Sequence, residues 1–296
     1  MKVLVLGATG MLGHQVYLTL RSAGLAVKAA GRRPFSQFKH FNIFKKADFI
    51  ENVDLTNSDK YLETLNNESP DVIVNCAGAT TRKLNQFNTS EIVLLNSVLP
   101  HRLSEWCEAN DAKLIHISTD CVFEGEHAPY TEMSPTEAQD TYGMSKALGE
   151  VKKSGSALTL RTSIIGPELE GKTELFEWIL SQRNQQINGY KNVIYSGVTT
   201  IYLSEIISKL VTSNSNLFGL VQVSSKPISK FDLIEMINQI YDLNIDLIPN
   251  FDITSNKTLS REFFLSQTGL KSPSWSEQIN QMKFNNLLEN QIARTQ

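Results

Sequence analysis

Apolar positions in this chain fall into short continuous runs, and each run is followed by a stretch with helical spacing. Val3-Leu4-Val5-Leu6 is the first such run, and residues 2–6 predict a strand buried on both faces, followed by an apolar helix to about residue 23. Ala26 to Ala30 predicts a second strand and Ala47 to Leu55 a third, after which Thr56 can cap a helix toward Asn66. The pattern continues with a strand at Asp71 to Cys76, a long helix from Thr89 to Ala109 and a strand at Lys113 to Ser118. A polar, turn-rich segment from Glu124 to Asp140 leads to a helix carrying Tyr142, and Ala157 to Ile165 predicts a further strand. Strands and helices that alternate in this way predict an α/β fold on a doubly wound parallel sheet.

The pattern changes beyond Gly166. Helices are predicted near Glu174–Arg183, Thr200–Thr212, Lys230–Tyr241 and Ser274–Leu288, with short strands near Val193–Tyr195, Leu220–Val223 and Asp246–Ile248. This is a smaller mixed α/β region, and its last residues, Ile292 to Gln296, are expected to fray. The chain shows no internal repeat or low-complexity tract.

Composition narrows the class of partner. With 296 residues, 41% hydrophobic and 20% charged, the chain can bury one large α/β domain, or one domain and a smaller companion. A net charge of -3 and scattered Lys and Arg leave no footprint for nucleic acid, so small molecules are the expected partners. Cys76, Cys107 and Cys121 are an odd number without paired spacing, which predicts neither a disulfide framework nor a metal site and fits a reducing cytoplasm. The first apolar run is too short for a signal segment and no later run approaches a membrane span, so a soluble protein without a membrane partner is expected.

Chemistry enters at the ends of the predicted strands. Gly7-Ala8-Thr9-Gly10-Met11-Leu12-Gly13 joins the first strand to the first helix, where glycines permit a tight turn and bring backbone close to a pyrophosphate at the helix N-terminus. Gly7, Thr9, Gly10, Met11 and Leu12 are therefore candidate cofactor contacts. The second strand ends in Gly31-Arg32-Arg33, without the acid that would bond a ribose diol. Guanidinium suits a 2'-phosphate, so NADP(H) is expected over NAD(H), with Arg32 as its contact. Asp54 and Leu55 close the third strand, and Ala77-Gly78-Ala79 follows the fourth with small residues that fit either a passing cofactor or a tight turn. Ser118 and Thr119 end a parallel strand on the side where open α/β sheets bind ligands.

Tyr142 and Lys146 lie four residues apart, one turn along the same helix face. A cation beside a phenol favours phenolate and brings its pKa toward working range, as proton transfer requires. Taken alone, the spacing equally fits a helix start and a solvated lysine.

The ordered set Gly-x-x-Gly-x-x-Gly, Asn-Cys-Ala-Gly, Ser-Thr-Asp-x-Val-Phe and Tyr-x-x-x-Lys-Ala-x-Gly-Glu resembles the extended short-chain dehydrogenase/reductases. Within them it is most similar to the dTDP-4-dehydrorhamnose reductase group. The resemblance implies a Rossmann-type fold, with residues 1–165 and 198–224 binding the dinucleotide and residues 166–197 and 225–296 binding substrate. It further implies a cytoplasmic reductase of a nucleotide-linked 4-keto-6-deoxy sugar, a precursor of cell-surface polysaccharide. Tyr142 would be the proton donor, Lys146 would lower its pKa and bond the nicotinamide ribose, and Thr119, with Ser118, would hold the sugar carbonyl. Asn96 would stand near the family's helix asparagine, beside the cofactor. A homodimer is compatible with this resemblance.

Two departures fall at the sugar pocket. Cys121 stands where the group usually has tyrosine, and Ile164 where it has tryptophan. Both remove aromatic bulk, so an N-acetylated 4-keto-6-deoxy sugar on UDP competes with the dTDP substrate. A dehydratase or epimerase of the same superfamily and a non-catalytic NADP-binding regulatory subunit are the alternatives. Cys121 in the position of a dehydratase glutamate counts against dehydration.

Overall fold

The computed structural model describes residues 1–213 and 216–295, with side chains described through residue 285 apart from Lys83. The first half of the chain runs β1 (Lys2–Leu6), α1 (Gly13–Ser22), β2 (Ala26–Ala30), β3 (Phe49–Ile50), α2 (Ser58–Glu68) and β4 (Val72–Asn75). It continues with α3 (Thr89–Val93), a π-helical turn (Leu94–Val98), α4 (Leu99–Ala109), β5 (Lys113–Thr119), α5 (Thr141–Leu148) and β6 (Ala157–Thr162). The second half begins with β7 (Ile164–Ile165), α6 (Leu175–Ser181), β8 (Gln186–Tyr190), β9 (Val193–Tyr195), β10 (Val198–Thr199), α7 (Thr200–Thr212) and β11 (Gly219–Gln222). It ends with β12 (Ile228–Ser229), α8 (Lys230–Tyr241), β13 (Asp246–Asn250), β14 (Ser255–Asn256), α9 (Glu262–Thr268) and α10 (Trp275–Thr295).

Seven strands form one sheet in the order β3-β2-β1-β4-β5-β6-β11, and every neighbouring pair is parallel. Strand alternation explains why β1 is apolar throughout. Val3 and Val5 enter the core packed by α1 and α7, whereas Leu4 and Leu6 enter the core packed by α2 and α4. From β1 the chain steps to β2 and β3 on one side and then crosses back to β4 on the other, so a crevice opens at the carboxyl ends of β1 and β4. A third core gathers Phe176, Ile179, Leu233, Ile237, Trp275 and Ile279 beneath three small sheets: β7 with β10, β9 between β12 and β14, and β8 with β13. This is the doubly wound sheet and smaller mixed region that the pattern predicts.

Several elements differ from expectation for identifiable reasons. The third strand shrinks to Phe49–Ile50 because a 3₁₀ turn at Lys46–Asp48 precedes it and Asn52 adopts φ 63° just after it. Thr56 does not cap α2. Its hydroxyl donates to Asp54 Oδ1 at 2.7 Å, and Asn57 caps instead, accepting from the Asp59 and Lys60 amides. The long helix widens at Leu94–Val98, because Pro100 offers no N–H to the Asn96 carbonyl four residues back. That displaced carbonyl meets α5, where a Cβ on Gly149 would lie 1.9 Å from the Asn96 oxygen. The strand predicted to end at Ile165 breaks at Ser163, and Ile164–Ile165 pairs with β10 outside the main sheet. Strand β8 and helix α9 are additions. The last helix runs on to Thr295 through most of the segment expected to fray, while Gln296 lies outside the described residues.

One buried ion pair joins three of these elements. Arg161 on β6 donates from Nε and Nη2 to the two Glu150 carboxylate oxygens, both at 2.7 Å. Ser118 on β5 donates to Glu150 Oε1 at 2.9 Å, and the Arg161 guanidinium lies over the Phe123 ring, 4.8 Å from its centre. Lys152 Nζ also lies 3.2 Å from Glu150 Oε2, so loss of Glu150 strands the Arg161 charge in the interior, whereas loss of Arg161 leaves Glu150 a second cation. Glu150→Leu is therefore expected to cost about 3–5 kcal/mol of stability, and Glu150→Leu combined with Arg161→Met much less, as read from urea denaturation midpoints.

His14, at the start of α1, is buried, and its Nδ1 lies 2.8 Å from the Gly10 carbonyl. Burial pushes its pKa from 6.5 down to about 4. The folded protein refuses a proton that the unfolded chain accepts, so this contribution to stability is intact above pH 6.5 and is lost as pH falls toward 4. Between pH 7 and pH 5 the loss from His14 should be about 2 kcal/mol. Stability measured across that range should fall less steeply in His14→Gln than in the parent.

Candidate functional site

The glycine turn after β1 shapes the crevice through backbone contact. Gly7 sits at φ 68°, and a Cβ there would lie 2.7 Å from the Ala77 nitrogen on the segment leaving β4. A Cβ on Gly13 would lie 2.2 Å from the Gly7 carbonyl oxygen, so the third glycine lets helix and strand close together as its spacing implies. Over this turn lie two adjoining hollows of about 760 and 1140 Å³, open to solvent and sharing Gly10, Cys76, Ala77 and Gly78.

The smaller hollow takes Gly7, Thr9, Gly10, Arg32, Asp54, Leu55, Ala77 and Gly78 from the expected cofactor residues. Arg32 lies over the Phe87 ring, 5.6 Å from its centre, and forms no ion pair among the described residues. Arg33 faces elsewhere, paired with Glu170 and set over Phe38. A carboxylate does stand in this hollow, four residues beyond β3. Asp54 accepts from the Thr56 hydroxyl and amide, which hold its pKa below 3.8.

The larger hollow brings together Met11, Leu12, Ala79, Ser118, Thr119, Cys121, Tyr142, Lys146 and Ile164. These arrive from five strand or helix ends and share one wall only after folding. Asp140 caps α5, accepting from the Gly143 amide at 3.0 Å, and so aims Tyr142 and Lys146 into the hollow. Burial and the neighbouring Cys121 push the Tyr142 phenol above 10.0, while a hydrogen bond with Thr119 pulls it down. Burial pushes the Lys146 ammonium down to about 8. Lys146 Nζ is turned to the Ile117 carbonyl at 2.7 Å and to His116 Nε2 at 3.5 Å. Cys121 donates through its amide to Thr119 Oγ1 at 3.2 Å, and burial pushes its thiol up to about 11, so the thiol is protonated at neutral pH.

Asn96 is the expected residue that lines neither hollow. Its Oδ1 accepts from the Ala79 amide at 2.9 Å, and its Nδ2 donates to the Ala79 carbonyl and the Ser145 hydroxyl, both at 3.0 Å. With these groups committed, Asn96 braces the wall from behind. Ser118 borders the hollow while its hydroxyl is given to Glu150.

Other wall residues escaped the motifs. Phe87 and Thr56 line the smaller hollow, and Glu168, Glu174 and Thr81 the mouth of the larger. Arg82 bonds the Thr173 carbonyl and approaches Glu174 Oε2 at 3.6 Å, tying the loop after β4 to the segment before α6. Lys230, the first residue of α8, sits 3.9 Å from the centre of the Tyr195 ring, and burial pushes its pKa to about 8 against the pull of buried Asp120. Lys230 lines neither hollow, and no motif marks any of these residues. Among the described residues no helix is long and apolar enough to cross a membrane, and no group of side chains could hold a metal ion.

The chain is 32% identical over 148 residues to dTDP-4-dehydrorhamnose reductase of Streptomyces griseus, covering 50% of this chain and 43% of that one. It is 30% identical over 191 residues to methionine adenosyltransferase 2 subunit beta of Danio rerio, covering 62% and 54%. The matched part thus spans about half the length of these relatives. Among solved structures, the NADP complex of dTDP-4-dehydrorhamnose reductase from Bacillus anthracis superposes with a TM-score of 0.77 at 21% identity, covering 96% of this chain and 99% of that one. The family model described as RmlD substrate binding domain matches residues 1–187, more than half of the sequence, and the chain belongs to that family.

Proposed function

We propose that this protein is an NADP(H)-dependent reductase of a nucleotide-linked 4-keto-6-deoxy sugar, in cytoplasmic synthesis of a surface-polysaccharide precursor. The observation that carries the proposal is the shared wall of Thr119, Tyr142 and Lys146, continuous through Gly10 and Ala77 with the hollow that holds Arg32. The residues fit the dinucleotide. The turn at Gly7 to Gly13 keeps backbone low at the helix N-terminus, and Arg32, which forms no ion pair among the described residues though it feels the field of Asp54, can meet a 2'-phosphate. Thr9, Met11 and Leu12 extend that floor toward Tyr142, and Asp54 with Leu55 walls the adenosine end. NADP(H) is the preferred cofactor and NAD(H) the weaker one.

When bound, the nicotinamide supplies the hydride. Thr119 holds the sugar carbonyl and orients it, and Tyr142, kept protonated by burial, gives its phenolic proton to the carbonyl oxygen as charge develops there. Lys146 stands one turn away as the nearby cation and bonds the cofactor ribose. Cys121 and Ile164 leave the sugar side of the wall without aromatic bulk, which favours a substituted hexose such as an N-acetylated sugar on UDP alongside the dTDP-linked one. Residues 166–197 and 225–296 form the substrate-capturing region around the third core, and residues 1–165 with 198–224 the dinucleotide-binding region.

The likeness to a subunit of methionine adenosyltransferase supports a second reading, a non-catalytic NADP-binding subunit. A turnover assay separates the two. Purified protein given NADPH and UDP- or dTDP-linked 4-keto-6-deoxy sugars should consume NADPH, and Tyr142→Phe should lower kcat by 100-fold or more, roughly the share of general acid catalysis. Turnover undiminished in Tyr142→Phe removes the proposed mechanism; cofactor binding without turnover across the panel supports the subunit.

Cofactor choice is tested separately. Arg32→Ala should weaken NADPH binding by roughly 10- to 100-fold, the worth of a charge-assisted contact, and leave NADH binding nearly unchanged. Equal losses for both cofactors would mean that Arg32 does not read the 2'-phosphate.

A further inference from the structure

Behind Lys146 lies a buried polar chain that the proposed reaction does not use. Asn75 on β4 and His116 on β5 are facing partners across the parallel pair, and both side chains are fully buried. The Ala77 amide donates to Asn75 Oδ1 at 3.1 Å, which fixes the carboxamide with its oxygen toward Ala77 and its nitrogen toward His116. Asn75 Nδ2 lies 3.2 Å from His116 Nδ1. An amide nitrogen can only donate, so Nδ1 accepts and the ring proton resides on Nε2. Nε2 is the atom 3.5 Å from Lys146 Nζ. An N–H aimed at Nζ suits the lone pair of a neutral amine and opposes an ammonium. The other partner of Nζ, the Ile117 carbonyl, accepts from either form.

From this sequence of contacts we infer that His116 is a positioning residue for Lys146, with its tautomer set by Asn75, and that it holds Lys146 as a titratable amine instead of a permanent ammonium. Cys76 at the end of β4 and Glu150 just beyond α5 favour the ammonium, burial disfavours it more strongly, and the balance lies at about 8. His116 is held neutral by burial, with Lys146 and His101 acting in the same direction. The consequence for catalysis rests on the reductase reading: the positive charge that Lys146 offers a bound cofactor would fall as pH rises through about 8.

The test needs neither substrate nor cofactor, so it stands apart from the fate of the reductase reading. In the full-length protein labelled with ¹⁵N at histidine and lysine, NMR should show His116 neutral with its proton on Nε2, and Lys146 titrating near 8. His116→Leu should raise the Lys146 midpoint by about one pH unit. Asn75→Asp turns Nδ1 into a donor and Nε2 into an acceptor, and should raise the midpoint at least as far. A proton on Nδ1 in the parent protein overturns the inference, as does a Lys146 midpoint near 10.5 or one that stays put in the folded variants. Where both variants fail to fold, the tautomer in the parent protein decides.

Discussion

Two opposite charges are taken out of water where β5, β6 and the end of α5 meet. Glu150 and Arg161 are both fully buried, and their two-point contact satisfies each carboxylate oxygen. Desolvating such a pair costs several kcal/mol per ion, so its value lies in direction more than in net stability. Glu150 follows α5 by two residues and receives the Ser118 hydroxyl, next to Thr119. Thr159 adds a second tie on the same segment, bonding both the amide and the carbonyl of Val151. These contacts fix the helix that carries Tyr142 and Lys146 against the strand that carries Thr119. Arg161 in turn lies on Phe123, which stacks on Tyr130 with ring centres 3.9 Å apart, extending the rigid platform beneath Cys121.

The crevice above that platform follows from sheet topology. Parallel strands leave their carboxyl ends on one edge, and the reversal between β1 and β4 parts the chain there. Close backbone contact at Gly7 and Gly13 keeps the floor low, and Asn96 pins the opposite wall by bonding Ala79 and Ser145. Asp54 in the smaller hollow is held toward its charged form by Thr56, whereas in the larger one burial raises Tyr142 and lowers Lys146; outside both, burial raises Asp120 and lowers Lys230. Lys146, at about 8, lies nearer neutral pH than a free lysine.

Much of this was legible in the sequence because it depends on local periodicity and short motifs. The buried strands, the glycine turn, the Tyr142–Lys146 helix and the strand end at Thr119 are each contained within a few consecutive residues. Boundaries went astray where one local contact displaced another. Thr56 bonds Asp54 and leaves the cap to Asn57, and Pro100 forces the π-helical turn that sends the Asn96 carbonyl toward Gly149. Strand β8, Gln-Ile-Asn-Gly-Tyr, has too weak an alternation to declare itself, and pairing with β13 stabilises it.

What the sequence determined by itself was the class of fold, the order of its motifs and the residue types available for proton transfer, since periodicity and spacing are local properties of a chain. Which side chains meet was decided by tertiary structure alone. Lys230 reaches Tyr195 and the field of Asp120 through the pairing of β12 with β9, Arg33 is drawn away to Glu170 while Arg32 remains over the hollow, and His116 comes to stand behind Lys146. The environment of Tyr142 belongs to the same category. A phenol and an ammonium four residues apart suggest a lowered pKa, yet burial and the turning of Lys146 toward Ile117 and His116 leave the phenol protonated, because desolvation depends on everything packed around a group and not on its neighbours in the chain.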